Sequence, residues 1–420
     1  MISLAAARAL IAENILPLPA TAAPLAGALG RVLRQDVFAT EDLPGFDRSA
    51  MDGYAIALDD DSEKFRIVAE IQPGTAPKCK IKHGECARIF TGAQISAGAS
   101  QVLMQENVRV EGNLIVPLGK NRVTHIRRRG EDARKGDLLL RSGACLGAGE
   151  LALLAGLGVA RPKISPPVRV THFATGNELV APESKLRPGQ IRDSNSALVA
   201  AFVRQFGGEI LQQERLADDF DLLLKKVRSG VSAERRKLQE IDDGGFLPKA
   251  ATTGSQPLDF DLLLVSGGAS VGDYDFGRRL LATLGFEIHF EKINLRPGKP
   301  LVFATRGKQA AFVLPGNPVS HFVTLHVAVR LALEKYSGAN VSWPLAKIRL
   351  AENFDFRPDA RETFWPARAE IQNSELVVRA LRWQSSGDVT GLAGANALLQ
   401  LDAGAEPPKA GERILVLMNL

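Results

Sequence analysis

Asp259-Phe260-Asp261-Leu262-Leu263-Leu264-Val265-Ser266-Gly267-Gly268-Ala269-Ser270-Val271-Gly272-Asp273-Tyr274-Asp275 is the stretch around which this chain is read. Residues 262–265 are a short unbroken apolar run, as in a strand buried on both faces of a parallel sheet. Ser266, Gly267, Gly268, Ser270 and Gly272 follow at once. A loop this rich in Gly and Ser lets backbone come close to a ligand and turns bare N–H groups toward an anion. Asp273 and Asp275 add carboxylates to a place that otherwise suits phosphate. Hydroxyls, amides and acids together suit a phosphorylated ligand with a divalent cation. An ordinary strand-to-helix turn could use the same residues.

The segments downstream favour the ligand. Arg296-Pro297-Gly298-Lys299-Pro300 sets two cations around a turn before the apolar run 301–303. Leu314-Pro315-Gly316-Asn317-Pro318-Val319-Ser320 ends a second apolar run, 311–314, and opens a helix. Asn317 is expected to cap that helix and Pro318 suits its first position. Exposed N–H groups and the helix dipole favour an anion there. In an open α/β sheet, ligands bind outside the carboxyl ends of the strands, where all three loops would lie.

With 420 residues the chain is too long for one core, so two to four domains are expected. Hydrophobic residues make up 45% and charged residues 24%, the balance of a soluble globular protein. Net charge is +5, with acids and bases interspersed, which points to small anionic ligands rather than nucleic acid. Arg127-Arg128-Arg129 reads as a solvated turn. The N-terminus has no basic start or apolar core of a signal peptide; Ser3 followed by residues 4–11 reads as a capped amphipathic helix. Glycines and Glu150 break the longest apolar stretch, 144–160, so no membrane span is expected. Cys79, Cys86 and Cys145 are odd in number and sparse, which points to the cytoplasm. Cys79, His83 and Cys86 lie close in sequence, but with no evident fourth ligand they read as unrelated surface positions rather than a zinc site.

Asp42-Leu43-Pro44-Gly45 and Phe46-Asp47-Arg48-Ser49-Ala50-Met51-Asp52-Gly53-Tyr54-Ala55 read, on spacing alone, as a turn rich in Asp and Gly. Short strands between Pro-Gly, His-Gly, Ala-Gly and Glu-Gly-Asn turns over residues 65–121 predict a small β domain of barrel type. A helix over 149–157 returns the chain to the N-terminal region, which makes that β domain an insertion. From Val168 the order strand, helix, strand, helix, strand predicts a doubly wound α/β domain. Residues 229–257 interrupt it as a charged, Gly-rich excursion, with room for one helix at 233–241. Five strands after Trp343-Pro344 predict a second small β domain of barrel-like type, with Arg361, Ser385 and Ser386 in its loops. His321 and His326 do not share a helix face well and read as packing or capping residues.

These segments, in their order, identify a resemblance. Residues 46–55, Thr91-Gly92-Ala93, residues 127–132, Thr175-Gly176-Asn177-Glu178, residues 266–275, Pro297-Gly298-Lys299-Pro300 and residues 314–320 resemble the molybdopterin molybdenumtransferase family, which includes MoeA and the E domain of gephyrin. The resemblance covers essentially the whole chain. It implies an elongated N-terminal domain at 1–40 and 134–165 and an inserted β domain at 41–133. It further implies a molybdopterin-binding α/β domain at 166–338 and a C-terminal β domain at 339–420. The family's reaction converts adenylylated molybdopterin and molybdate to molybdenum cofactor and AMP, with Mg2+. The resemblance also implies a homodimer whose cleft lies between the α/β domain of one subunit and the β domain of the other. An upstream adenylyltransferase and acceptor molybdoenzymes are its implied protein partners.

Carried over residue by residue, the family's acids fall on Asp52, Asp132, Glu178, Asp218 and Asp275. Its basic contacts fall on Lys292, Arg296, Lys299 and Arg361, with Ser386 beside them and Thr91 contributed by the partner subunit. Ser266, Gly267, Gly268, Ser270, Pro315, Gly316 and Asn317 line the cofactor side, and Glu178 with Asp275 is expected to hold the metal. The chemistry agrees. A tetrahedral dianion calls for Arg, Lys and Ser, while carboxylates suit magnesium. Three positions depart from the family: Asn177 stands where many relatives carry an acid, Arg296 where some carry Lys, and the excursion at 229–257 is longer than expected. A scaffolding role, a paralogue that binds pterin nucleotide without metal insertion, and a preference for tungstate are the competing readings.

Overall fold

The computed structural model describes residues 1–119, 123–229, 260–267, 274–341 and 343–418, with only the backbone described at Tyr274 and Asp275. Most of the expected excursion with its helix, Gly268, Ser270, Gly272, Asp273 and the Asp275 side chain lie outside the described residues. The chain divides into two compact units, Gln35–Ser142 with Ala148–Ala160, and Met1–Arg34 with Gly143–Gly147 and Arg161–Leu420. Among the described residues no helix is long and apolar enough to cross a membrane.

Helix α1 (Leu4–Asn14) opens the larger unit, and the Ser3 hydroxyl accepts from Ala6 N at 3.1 Å as its cap. The smaller unit carries a six-stranded sheet: β1 (Gly53–Ile56), β2 (Phe65–Ile71), β3 (Glu85–Ile89), β4 (Gln101–Met104), β5 (Val108–Glu111) and β6 (Leu114–Pro117). They pair in the order β4-β1-β3-β2-β6-β5. Among the described residues no pairing joins β4 to β5, so the expected barrel is an open sheet by its hydrogen bonds. Alternate residues feed two cores, one with Ala55, Ile89 and Val102, the other with Tyr54, Cys86 and Leu103. Cys86 is therefore a core residue and not a surface one, and burial pushes its thiol up to about 12. Among the described residues, the Cys79, His83 and Cys86 ligand atoms do not converge; the converging trio is Asp60, Asp61 and His83. Helix α2 (Ala148–Gly156) completes this unit.

The larger unit then runs through β7 (Val168–Thr175), α3 (Asn195–Gln205), β8 (Gly208–Leu216), α4 (Phe220–Ser229), β9 (Leu262–Ser266), α5 (Tyr274–Thr283), β10 (Glu287–Lys292), β11 (Pro300–Arg306) and β12 (Gln309–Leu314). Sheet order is β8-β7-β9-β12-β11-β10, parallel from β8 to β12 and antiparallel beyond. The chain moves from β7 to one edge at β8 and then crosses to β9 on the other side, so the winding reverses between β7 and β9. Every residue of β9 is buried. Leu262 and Leu264 join the core under α1, α3 and the last helix; Leu263 and Val265 join the core under α4 and α5. That alternation is why this strand is apolar without interruption. Register aligns the carboxyl ends: Thr175 with Leu216, Ala174 with Ser266, and Ser266 with Leu314.

After β12 come α6 (Pro318–Thr324), a π-helical turn at Leu325–Val329 and α7 (Arg330–Ser337), closed by Gly338 in the left-handed region. The remaining strands are β13 (Leu345–Leu350), β14 (Glu362–Gln372), β15 (Glu375–Ala380), β16 (Ala397–Leu401) and β17 (Arg413–Met418). They pair around a closed ring, β14-β15-β13-β17-β16 and back to β14, a five-stranded barrel. Leu295–Arg296 adds to the barrel beside Glu362 and Thr363, so one ladder joins the α/β segment to the barrel.

Candidate functional site

The aligned strand ends open onto a cleft of about 650 Å3. Thr175, Glu178, Asp218, Gly267 and Gly316 line it, together with Asp193 and Asn195 at the start of α3. Gly267 has φ +98°, and a Cβ there would stand 2.4 Å from Thr175 O, so only glycine lets the β9 tip pass the β7 tip this closely. Gly267 N donates to Leu314 O at 3.2 Å and ties the β9 tip to β12. Ser266 itself is buried, and its hydroxyl lies 2.6 Å from His172 Nε2 and 3.5 Å from His321 Nε2. That hydroxyl bridges the two imidazoles, while Ser266 also stands in the lining of the cleft.

Glu178 folds back over Gly176, with both carboxylate oxygens within 3 Å of where a Gly176 Cβ would be. Among the described residues no hydrogen bond or ion pair reaches its carboxylate. Asn177 and Asp218 bind each other reciprocally: Asn177 N donates to Asp218 Oδ2 at 3.4 Å, and Asp218 N donates to Asn177 Oδ1 at 3.2 Å. The side-chain oxygen accepts in that second bond, so the departure at Asn177 clips the β7 and β8 tips together.

A second cleft of about 380 Å3 abuts the first, sharing Pro300, Pro315 and Asn317 in its lining. Its walls hold Arg296, Lys299, Arg361, Ser385 and Ser386, backed by Trp365 and Trp383. Gly298 has φ +112° at the turn between the two cations, and a Cβ there would stand 2.7 Å from Thr324. Asn317 takes the N-cap position of α6, yet its side chain does not cap the helix; its amide donates to Ser386 Oγ at 2.9 Å. Val319 N donates to Ser386 O at 3.0 Å, so the barrel loop and the α6 turn are held together twice. Lys292 is not among the residues lining either cleft, although its strand pairs it with Pro300.

Asp359 is the organising acid of the second cleft, and it is absent from the residues singled out in the sequence. Arg361 donates to both of its oxygens, at 2.8 and 2.9 Å, and Arg296 Nη1 lies 3.7 Å away. The Arg361 bonds hold the Asp359 carboxyl below its usual range, and the same bonds raise the guanidinium. Three cations against one acid leave this cleft positive, while Glu178, Asp193 and Asp218 make its neighbour acidic. The spacing of Asp359 two residues before Arg361 was the available signal.

In the smaller unit, Thr91 N and Oγ1 donate to Asp52 Oδ1 at 2.7 and 2.8 Å, and the backbone bond leads in lowering the Asp52 carboxyl. Asp132 pairs with Arg127. Arg128 and Arg129 pair with Asp47 and Asp42, so the arginine turn is braced by acids from the Asp-rich loop.

The N-terminal part, residues 2–158, matches the family model described as MoeA N-terminal region (domain I and II). Residues 249–335 match a probable molybdopterin binding domain, and residues 347–418 match the MoeA C-terminal region (domain IV). A molybdopterin molybdenumtransferase from Nostoc sp. is 34% identical over 403 residues, covering 93% of this chain and 86% of that one. The chain belongs to the MoeA family. A second MoeA-family relative, the molybdopterin molybdenumtransferase of Staphylococcus epidermidis, is 28% identical over 401 residues, 93% of this chain and 89% of that one. The solved molybdopterin biosynthesis moeA protein of Pyrococcus horikoshii OT3 is 25% identical, with a TM-score of 0.79 over 100% of both chains.

Proposed function

We propose that this MoeA-family chain is a molybdopterin molybdenumtransferase, which inserts molybdate into adenylylated molybdopterin and releases AMP in molybdenum cofactor biosynthesis. The observation that carries this is the pair of abutting clefts, one acidic and one cationic, with Pro300, Pro315 and Asn317 common to both. A dianion is excluded by the carboxylates of the first cleft and drawn to Arg296, Lys299 and Arg361 in the second, where the Ser385 and Ser386 hydroxyls donate further bonds. Asp359 holds Arg361 to one orientation, so the anion meets a preorganised cation. The nucleotide-linked pterin then lies against the glycine tips of β9 and β12, bringing its dithiolene toward the oxyanion.

Glu178 and Asp218 present carboxylates at the first cleft, that of Asp218 taking one bond from Asn177 N, a donor set that fits a hard divalent cation. With Asp275 they would hold Mg2+, which when bound polarises the adenylate phosphate. Asp52, Thr91 and Asp132 belong, on this reading, to the cleft of a second copy in a homodimer, which sedimentation velocity would test directly. The reaction itself is tested by incubating purified protein with adenylylated molybdopterin, Mg2+ and either molybdate or tungstate while AMP is followed. Release with one anion identifies the substrate. No release with either would replace catalysis by binding or scaffolding.

A further inference from the structure

Beneath the acidic cleft runs a row of polar groups that no step above uses. Gln213 Nε2 donates to Ser196 O at 3.0 Å and meets His172 Nδ1 at 2.8 Å. His172 Nε2 meets Ser266 Oγ at 2.6 Å, and Ser266 Oγ meets His321 Nε2 at 3.5 Å. His321 Nδ1 meets Pro315 O at 3.0 Å. Both imidazoles are fully buried, and neither lines a cleft.

The direction of every bond follows from its ends. An amide nitrogen donates, and its bond to the Ser196 carbonyl fixes which way the Gln213 amide points. His172 Nδ1 must therefore accept, so its proton is on Nε2 and goes to Ser266 Oγ. A carbonyl only accepts, so the His321 proton is on Nδ1 and its Nε2 is an acceptor. Ser266 receives from one ring and gives to the other. The row closes with both rings neutral and in opposite tautomers, and no bond in it is left with two donors or two acceptors. Its middle and one end bear on different loops: Ser266 precedes Gly267 at the β9 tip, and Pro315 precedes Gly316 and Asn317 after β12.

We propose that His172 and His321 are positioning residues that, acting through Ser266, hold the Gly267 tip and the turn at 315–317 in register beneath the ligand. The consequence for turnover rests on the molybdenumtransferase reading; the structural consequence does not. Two measurements on the full-length chain separate them. First, 15N-histidine spectra of the wild type at neutral pH should give His172 as the Nε2–H tautomer and His321 as the Nδ1–H tautomer, assigned by the resonances lost in His172→Gln and His321→Asn. Second, an Asn amide overlays the Nδ1 position of a histidine, and a Gln amide overlays Nε2. His321→Asn should thus keep the bond to Pro315 O, whereas His321→Gln should lose it.

His321→Gln is expected to speed hydrogen exchange at the Gly267 amide about tenfold and to raise KM for adenylylated molybdopterin about tenfold, the worth of one buried hydrogen bond, with kcat within about twofold. His321→Asn should stay within about twofold of wild type in all three. Reversed tautomers, a charged ring at neutral pH, or equal behaviour of the two variants would overturn the proposal. If the wild type releases no AMP, the functional reading falls, and the spectra and Gly267 exchange still decide the positioning row.

Discussion

Acidifying the protein from about pH 7.5 to about pH 5.5 should weaken the larger unit by about 4 kcal/mol, because three of its histidines stay neutral. Burial lowers His172 to about 3, His321 to about 4 and His326 to about 3, from the ordinary 6.5 of a histidine. For His321, the Pro315 carbonyl and Asp193 oppose that fall; for His326, Arg330 adds to it. The sign follows. At pH 5.5 the unfolded chain protonates all three rings and the folded chain none, so the unfolded state gains. Each ring, one unit below its unfolded pKa, costs about 1.4 kcal/mol relative to neutral pH, and three give about 4. This stability is complete above the unfolded value and is lost as the pH falls toward the folded ones. Carboxylates held low by their partners act in the same direction, but only below about pH 4.5, where their unfolded counterparts begin to protonate. A loss of about 4 kcal/mol is large against the 5–15 kcal/mol typical of a folded domain. Trp343, Trp365 and Trp383, the only tryptophans, all lie in the larger unit, so urea unfolding followed by tryptophan fluorescence reports on it alone. His326→Leu, which carries no proton and keeps the apolar contact with Phe202, Phe206 and Phe322, should reduce the pH dependence by about a third. Urea midpoints that coincide across this range would refute the buried neutral rings.

Gly267→Ala forces a Cβ against Thr175 O in a left-handed backbone and should cost at least about 2 kcal/mol in the same urea assay. Leu264→Ala removes a fully buried side chain from the core under α3 and should cost about 2–5 kcal/mol. Asp359→Ala should lower kcat/KM for molybdate by about three- to tenfold, because Arg361 loses its bidentate anchor; an unchanged value would mean that Arg361 needs no orientation. Chelating divalent cations should stop AMP release, and Glu178→Ala should raise the Mg2+ concentration for half-maximal release by about tenfold, read by titration.

What could be read from the residues depended on how local the signal was. The apolar run of β9 and the glycines after it are contiguous, so both the doubly wound fold and the place of the cleft were legible there. Five short alternating strands announced a barrel-like C-terminal domain, and β14 closes it by pairing with both β15 and β16. Asn317 was read from its position before Pro318 as a cap; the hydroxyl that claims its amide instead lies 69 residues onward, at Ser386. His172 looks like any residue of a buried strand, because Ser266, the hydroxyl that engages it, is 94 residues away. Asp359 gains its place only because Arg296, 63 residues before it, and Arg361 converge on it. Long-range polar pairing is invisible to periodicity, and the unread residues of this site are the ones that depend on it.

The C-terminal barrel is not a detachable module. Phe364, Leu398 and Leu417 sit in the same apolar core as α1 and β9, and Leu295–Arg296 continues the barrel's own ladder. A chain shortened before β13 would lose Arg361, Ser385 and Ser386 and leave greasy surface bare on what remained. Recombination that exchanged the barrel by itself would meet the same obstacle, so the two sides of the second cleft must drift together rather than be inherited piecemeal.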